Sequence, residues 1–210
     1  MKSEFSIVET RQIPLRRLYT EDEGAAITVK HVRTVHQAAA DPIHGAVVAV
    51  GDYPETVWRY GTDDKVGGFD DLPHSGHILC ASLAACMDNI TRMIADRLCV
   101  ELQRLEVDVT GDVDVRGCLA IDPSARPGFR EIRCIHHLKA DDTTDPRHLK
   151  LLTSSAEQLC VTLDTLRNGV PVDVSFDLDG KGQAGARYVE TKRRTKGLDS
   201  NEGSFESRHW

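Results

Sequence analysis

Ile78-Leu79-Cys80-Ala81-Ser82-Leu83-Ala84-Ala85-Cys86-Met87 is the stretch on which the fold turns. Continued through Ile90, Met93 and Leu98, its apolar residues at 79, 83, 86, 90 and 93 recur at steps of three and four, the spacing of one helix face. Cys86 lies on that face and is predicted to be buried. Asp88, Asn89, Arg92 and Asp96 fall largely off it, so the helix is amphipathic and faces a sheet or a partner chain. The same charges interrupt the apolar run far short of the roughly 20 residues that a membrane helix needs, and no span is expected.

Upstream, Gly67-Gly68, Asp70-Asp71 and Pro73 mark the loop before this helix. Alternation from Ile27 to Val35, the run Gly45 to Val50 and the short Val57-Trp58-Arg59-Tyr60 read as three strands, the first half-buried. Residues 1–24 are polar and charged, contain Pro14, and read as an arm or short strand. Downstream, Leu105, Val107, Val109, Val113 and Val115 give one long strand, bent or bulged at Gly111, ending at Arg116-Gly117. Phe129 to Lys139 returns as another.

Asp145-Pro146 then supplies an N-cap and a first-turn proline for a second helix, which runs through Leu149, Leu152, Ala156, Leu159, Leu163 and Leu166 to Asn168-Gly169. Cys160 flanks its apolar stripe. A final strand follows over Val170, Val172, Val174, Phe176 and Leu178, and the polar residues 179–210 read as a tail. The expected organisation is therefore an arm (1–24), one α+β domain (25–178) and the tail (179–210).

A 210-residue chain with 40% hydrophobic residues has enough material for a globular core. Its net charge of −7 argues against a nucleic-acid surface, the basic Lys192-Arg193-Arg194 apart. The N-terminal residues lack the apolar segment of a signal peptide, which gives a cytoplasmic expectation. Six cysteines, at 80, 86, 99, 118, 134 and 160, show no C-x-x-C spacing, so a structural disulfide framework is not expected. His74 and His77 lack a third ligand at a helpful spacing, and His136 and His137, neighbours on a strand, point to opposite faces, so no metal and no cofactor are expected.

Three strings carry a family resemblance when taken in order: Leu83-Ala84-Ala85-Cys86, then Gly111-Asp112-Val113-Asp114-Val115-Arg116-Gly117, then Ala156-Glu157-Gln158-Leu159-Cys160 leading to Gly169-Val170-Pro171-Val172. Together they resemble the OsmC/Ohr family of thiol peroxidases, over about residues 25 to 178. The resemblance implies an intertwined homodimer, with antiparallel sheets wrapped around two long central helices and a site at each side of the interface. It also implies that Cys86 is the peroxidatic cysteine and Cys160 the resolving one.

An arginine and a glutamate complete the family's site. Arg33 is the nearest candidate for the arginine, with Arg16, Arg17 and Arg59 behind it. The glutamate's neighbourhood reads His74-Ser75-Gly76-His77, with no acid, and His77 is its partial stand-in. Val161 stands where a proline often follows the second cysteine.

A thiol attacks peroxide only as thiolate, and burial alone would raise the pKa of a mid-helix cysteine. The implied cycle is a Cys86 sulfenic acid, a Cys86–Cys160 disulfide, and reduction by an external dithiol of the lipoyl or thioredoxin type. Such a disulfide requires Cα atoms about 4.4 to 6.8 Å apart. The competing expectation is a redox sensor or a binder of a small apolar ligand, with little turnover.

Overall fold

The computed structural model describes residues 6–35, 41–51, 53, 55–177 and 183–186. They fall into two units, one ending at Gly169 and a second beginning at Val170. The first is α+β and is centred on helix α2, Ser75–Arg97.

Helix α2 begins with a double histidine cap. The His74 ring accepts from the Gly76 N–H at 3.1 Å, and the His77 ring accepts from the His74 N–H at 3.4 Å. His74 Nε2 also lies 3.2 Å from Asp63. Orphan N–H groups at a helix start need such partners, and these two histidines supply them. By length and composition α2 could cross a membrane. It packs instead against α1 (Ile7–Glu21), β4 (Leu102–Val113), α4 (Pro146–Leu159) and α5 (Val161–Asn168).

The buried stripe of α2 consists of Leu83, Met87, Thr91, Ile94 and Ala95. This is rotated by about one residue from the expected stripe, so Cys86 is half-buried at its edge rather than buried. The rotation places a threonine inside, where its hydroxyl donates to the Met87 carbonyl at 2.7 Å. A polar residue with an internal partner is invisible to a hydrophobic pattern.

β4 and β5 (Phe129–Ala140) form a long antiparallel hairpin. Its inner face carries the pairs Leu105 with Leu138, Val107 with His136 and Val109 with Cys134. On the outer face, His137 meets Asp108 at 2.9 Å and Arg133 meets Asp112 at 3.0 Å. His136 and His137 do point to opposite faces. Gly111 pairs regularly with Ile132, and the register irregularity comes one step later, between Asp112 and Val113. The glycine is there because the Phe129 ring lies over it, 2.4 Å from where a Cβ would stand.

Three expectations need correction. Residues 7–21 form helix α1, not a strand: Ser6 caps it by accepting from the Glu9 N–H. Asp96 of α2 ties it down, accepting from the Ser6 hydroxyl at 2.5 Å and the Val8 N–H at 2.9 Å. Val115–Cys118 is a helical turn, α3, because the Asp114 side chain caps it at the Arg116 N–H, so the preceding strand stops at Val113. The second long helix is two helices, α4 and α5, broken at Cys160.

β1 (Val32–Val35), β2 (Gly45–Ala49) and β3 (Val57–Tyr60) form a separate antiparallel sheet, with Arg33 opposite Val48. β1 is exposed along its length rather than half-buried. The loop after β3 is fastened through His44, whose two ring nitrogens lie 3.0 Å from Asp41 and 3.1 Å from Asp71.

In the second unit, β6 (Val174–Asp177) pairs with β7 (Gln183–Ala186) as an antiparallel hairpin. The expected last strand is thus shorter at its start, and Leu178 and most of the tail lie outside the described residues.

Two apolar clusters fill the first unit. Ile94, Ala95, Val100, Leu152 and Ala156 make one. Leu83, Met87 and Cys160 make the other, with Cys86, Val107, Val109, Ile132, Cys134 and Leu163 packed against it.

Candidate active site

Cys86 and Cys160 meet in the second cluster. What brings them together is the break between α4 and α5. Cys160 has extended backbone angles, φ −76° and ψ 111°, and is at once the C-cap of one helix and the N-cap of the next. Its side chain is 1% exposed.

A helix start leaves its first four N–H groups without partners inside the helix. At α5, the Asp164 N–H donates to the Cys160 carbonyl at 2.9 Å, and the Leu163 N–H donates to Cys160 Sγ at 3.4 Å. Of the other two, the Val161 N–H lowers the pKa of Cys86 and the Thr162 N–H acts on both sulfurs. Thr162 adds its hydroxyl, and the Cys160 thiol also donates to the Cys86 sulfur. Burial opposes ionisation of Cys86, but the Thr162 N–H and hydroxyl, the Cys160 thiol and the Val161 N–H outweigh it and hold its pKa below the ordinary thiol value.

Cys160 moves the other way. Burial pushes its pKa up; the Leu163 N–H pulls against that, and the bond to Cys86 adds to the rise because it ties up the proton of Cys160. The pair is therefore polarised: Cys86, half-exposed, is the thiol that ionises first, and Cys160, buried, holds its proton. Polarisation of this kind separates an attacking sulfur from one that reacts second.

The other thiols differ. Burial raises the pKa of Cys80 and Cys134. Cys99 is exposed in a left-handed turn after α2, at φ 53°, rather than packed, and Cys118 is exposed on α3, donating to the Val115 carbonyl.

The principal groups on Cys86 come from residues 160–162, and Arg33, on the exposed strand β1, is not among them. His77 spends its ring nitrogen on the helix cap. Val161 and Thr162 were not anticipated as site residues. Val161 was noted only as a departure from proline, although the N–H a proline lacks is the relevant feature. A groove of about 840 Å³ is lined by Leu83, Met87 and Leu163 of the cysteine cluster but by neither Cys86 nor Cys160, and Arg126, Arg130 and Glu157 also wall it.

The family model described as OsmC-like protein matches residues 68–175 of the chain. An OsmC-like protein of Mycoplasma pneumoniae is 14% identical, with a TM-score of 0.52, over 68% of this chain and 89% of that one. An OsmC-like protein of unknown function from Vibrio cholerae is 8% identical, with a TM-score of 0.53, over 66% of this chain and 94% of that one. Identities this low speak for the fold. No curated protein matches the chain.

Proposed function

The chain belongs to the OsmC-like protein family, and we propose that it is a cysteine-based peroxidase that reduces organic hydroperoxides or hydrogen peroxide in defence against oxidative stress. The observation that carries this reading is the meeting of a half-buried Cys86 with a buried Cys160 in one apolar cluster, where the pKa of Cys86 is lowered and that of Cys160 raised.

The cycle balances as follows. The Cys86 thiolate attacks one peroxide oxygen, the O–O bond breaks, and the departing alkoxide takes a proton to become the alcohol. Cys86 is left as a sulfenic acid. Cys160 Sγ attacks Cys86 Sγ, water leaves with the sulfenic oxygen, and a disulfide forms. A dithiol reductant, of the lipoyl or thioredoxin type, restores both thiols by two exchanges and becomes a disulfide itself.

Arg33 is the side chain assigned to polarise the peroxide by the family resemblance. A homodimer is part of the same reading. Val32 and Trp58, at 59% and 45% exposure, lie on one face of the β1–β3 sheet and leave it apolar in a single chain, as surfaces buried on association do.

Turnover of cumene hydroperoxide and hydrogen peroxide with a dithiol tests the reading. The wild type consumes peroxide rapidly, Cys86→Ser does not, and Cys160→Ser stops after one equivalent unless the reductant resolves the sulfenic acid directly. Equal, slow rates in wild type and Cys86→Ser overturn it. The groove, with Leu79, Leu83, Ile132 and Leu166 on its wall beside Arg130 and Glu131, favours a second reading, a redox sensor or binder of a small apolar ligand. That reading gains if peroxide oxidises the pair without catalytic loss of peroxide.

A further inference from the structure

We propose that the groove between α2 and β5 binds a small monocarboxylate with an apolar chain, its carboxylate on Arg126 and Arg130 and its chain running along α2 toward His136. This sharpens the second reading of the function by naming a ligand class. It rests on the groove alone, because neither Cys86 nor Cys160 lines it.

The shape is that of a site for a chain. A volume of about 840 Å³ lies in the range of small-molecule sites. Leu79, Leu83, Met87 and Thr91 line it from successive turns of α2, a run of roughly 18 Å at the helical rise. Ile132, Cys134, His136 and Leu138 line it from alternate positions of β5. The two elements run in the same direction. A Cβ at Gly76 would stand 3.3 Å from the Phe129 ring at the start of β5, and Asp88, further along α2, acts on His136. The groove is therefore elongated, with Leu79 and Phe129 at one end and Thr91 and His136 at the other.

Its ends differ in charge. Arg126 and Arg130 wall the Phe129 end. Arg167, Glu131 and Glu157 also reach the groove, but Glu157 holds Arg167 at 2.8 Å and Glu131 lies 3.7 Å from Arg133. Arg126 and Arg130 form no ion pair among the described residues; Asp114, on which Arg130 acts, is held by Arg116 at 2.5 Å. Two guanidinium groups thus lack a carboxylate, and the N–H fork of each matches one in shape. At the other end, burial pushes the pKa of His136 down against the field of Asp88, so the ring is neutral at pH 7. Its Nε2 is shut off from water and has no partner among the described residues. A cationic end joined to an uncharged, largely apolar one selects an anion with a hydrocarbon chain over a neutral oil or a short acid.

The test is isothermal titration calorimetry of the full chain with octanoate, octan-1-ol and butyrate. The proteins are wild type, the double variant Arg126→Gln/Arg130→Gln, Cys86→Ser and, as a control for surface charge, Arg104→Gln, each checked for folding by circular dichroism. Octanoate binds the wild type saturably. Octan-1-ol, lacking the charge, and butyrate, lacking the chain, each bind at least about tenfold more weakly. The double variant loses about tenfold or more for octanoate and keeps its affinity for octan-1-ol, while Arg104→Gln and Cys86→Ser bind octanoate as the wild type does. Equal affinity for octanoate and octan-1-ol overturns the inference, as does an octanoate affinity that is unchanged in the double variant or falls equally in Arg104→Gln. So does a lack of saturable binding, the result expected if a second copy of the chain covers the groove. Peroxide turnover is measured separately on the same proteins. Its absence from the wild type would end the peroxidase reading and leave octanoate binding standing, whereas turnover without octanoate binding would end only the present inference.

Discussion

The two halves of α2 are packed by the same β4–β5 hairpin but against different second walls. Around Ile94 and Ala95, the C-terminal half meets Val100, Leu152 and Ala156, and α4 runs past without interruption. Around Leu83 and Met87, the N-terminal half meets Cys160, where the helix stops and restarts. Hydrocarbon fills one end and sulfur with exposed N–H donors fills the other. One helix thus packs against hydrocarbon at its C-terminal half and against the proposed site at its N-terminal half, and the helix break on the facing wall marks the division.

If that division holds, the largest change in stability comes from the hydrocarbon end. Leu152 has no exposed surface, so Leu152→Ala should lower the unfolding free energy by about 2–5 kcal/mol in urea titration. The pH profile of Cys86 alkylation should stay unchanged; a displaced profile would mean that the two ends are not separable.

A smaller loss, about 1–2 kcal/mol, is expected from Asp96→Ala, which removes the acceptor for the Ser6 hydroxyl and the Val8 N–H. Limited proteolysis within residues 7–21 should accelerate first. At the sulfur end, Cys160→Ser should change stability by less than about 1 kcal/mol, because serine is a good N-cap in its own right. Excess peroxide should then drive Cys86 to sulfinic acid, seen by mass as two added oxygens, for want of a resolving thiol. Persistence of the sulfenic acid would argue for another resolver.

The smallest effect is a pH dependence on the approach to the sulfur end. The Asp41 hydrogen bond, opposed by burial and helped by Asp71, raises the pKa of His44 above its ordinary value. The folded state then binds the proton more tightly than the unfolded one. The resulting stability is full below the unfolded pKa of about 6.5 and is lost as pH rises through the higher folded value. Hydrogen exchange should accordingly quicken in residues 61–74 at higher pH, with little change around Ile94, and His44→Ala should remove the pH dependence. Asp41, held down to about 2 chiefly by the Ile43 and His44 N–H groups, adds stability above about pH 4 that fades as pH falls toward 2.

What the sequence disclosed followed from periodicity. The three-four steps of α2 and the alternation of β4 and β5 each reflect a side chain facing one environment, so the α+β elements could be read directly, whereas the meeting of the two helices followed only from the family resemblance. Three features depended on partners distant in the chain or on a single backbone torsion. Thr91 sits inside because its hydroxyl returns to Met87, and that turned the stripe enough to bring Cys86 to its edge. Helix α1 depends on an aspartate in another helix. The Leu159-Cys160-Val161 run keeps a helical pattern straight through a place where the backbone is extended. Each cysteine could therefore be placed on its helix and their pairing taken from the family resemblance, whereas the break at Cys160 could not be read, since a backbone torsion carries no letter in a sequence.

Asp96 also sets an order of events during synthesis. The segment that becomes α1 leaves the ribosome before α2, and the carboxylate that receives Ser6 lies 90 residues later, roughly 5–20 s behind at ordinary elongation speeds. A free 15-residue helix with Pro14 inside it is marginal in water. The nascent chain must therefore carry that segment unpaired until the central helix is complete, and α1 can close onto Asp96 while β4, β5, α4 and α5 are still to be made.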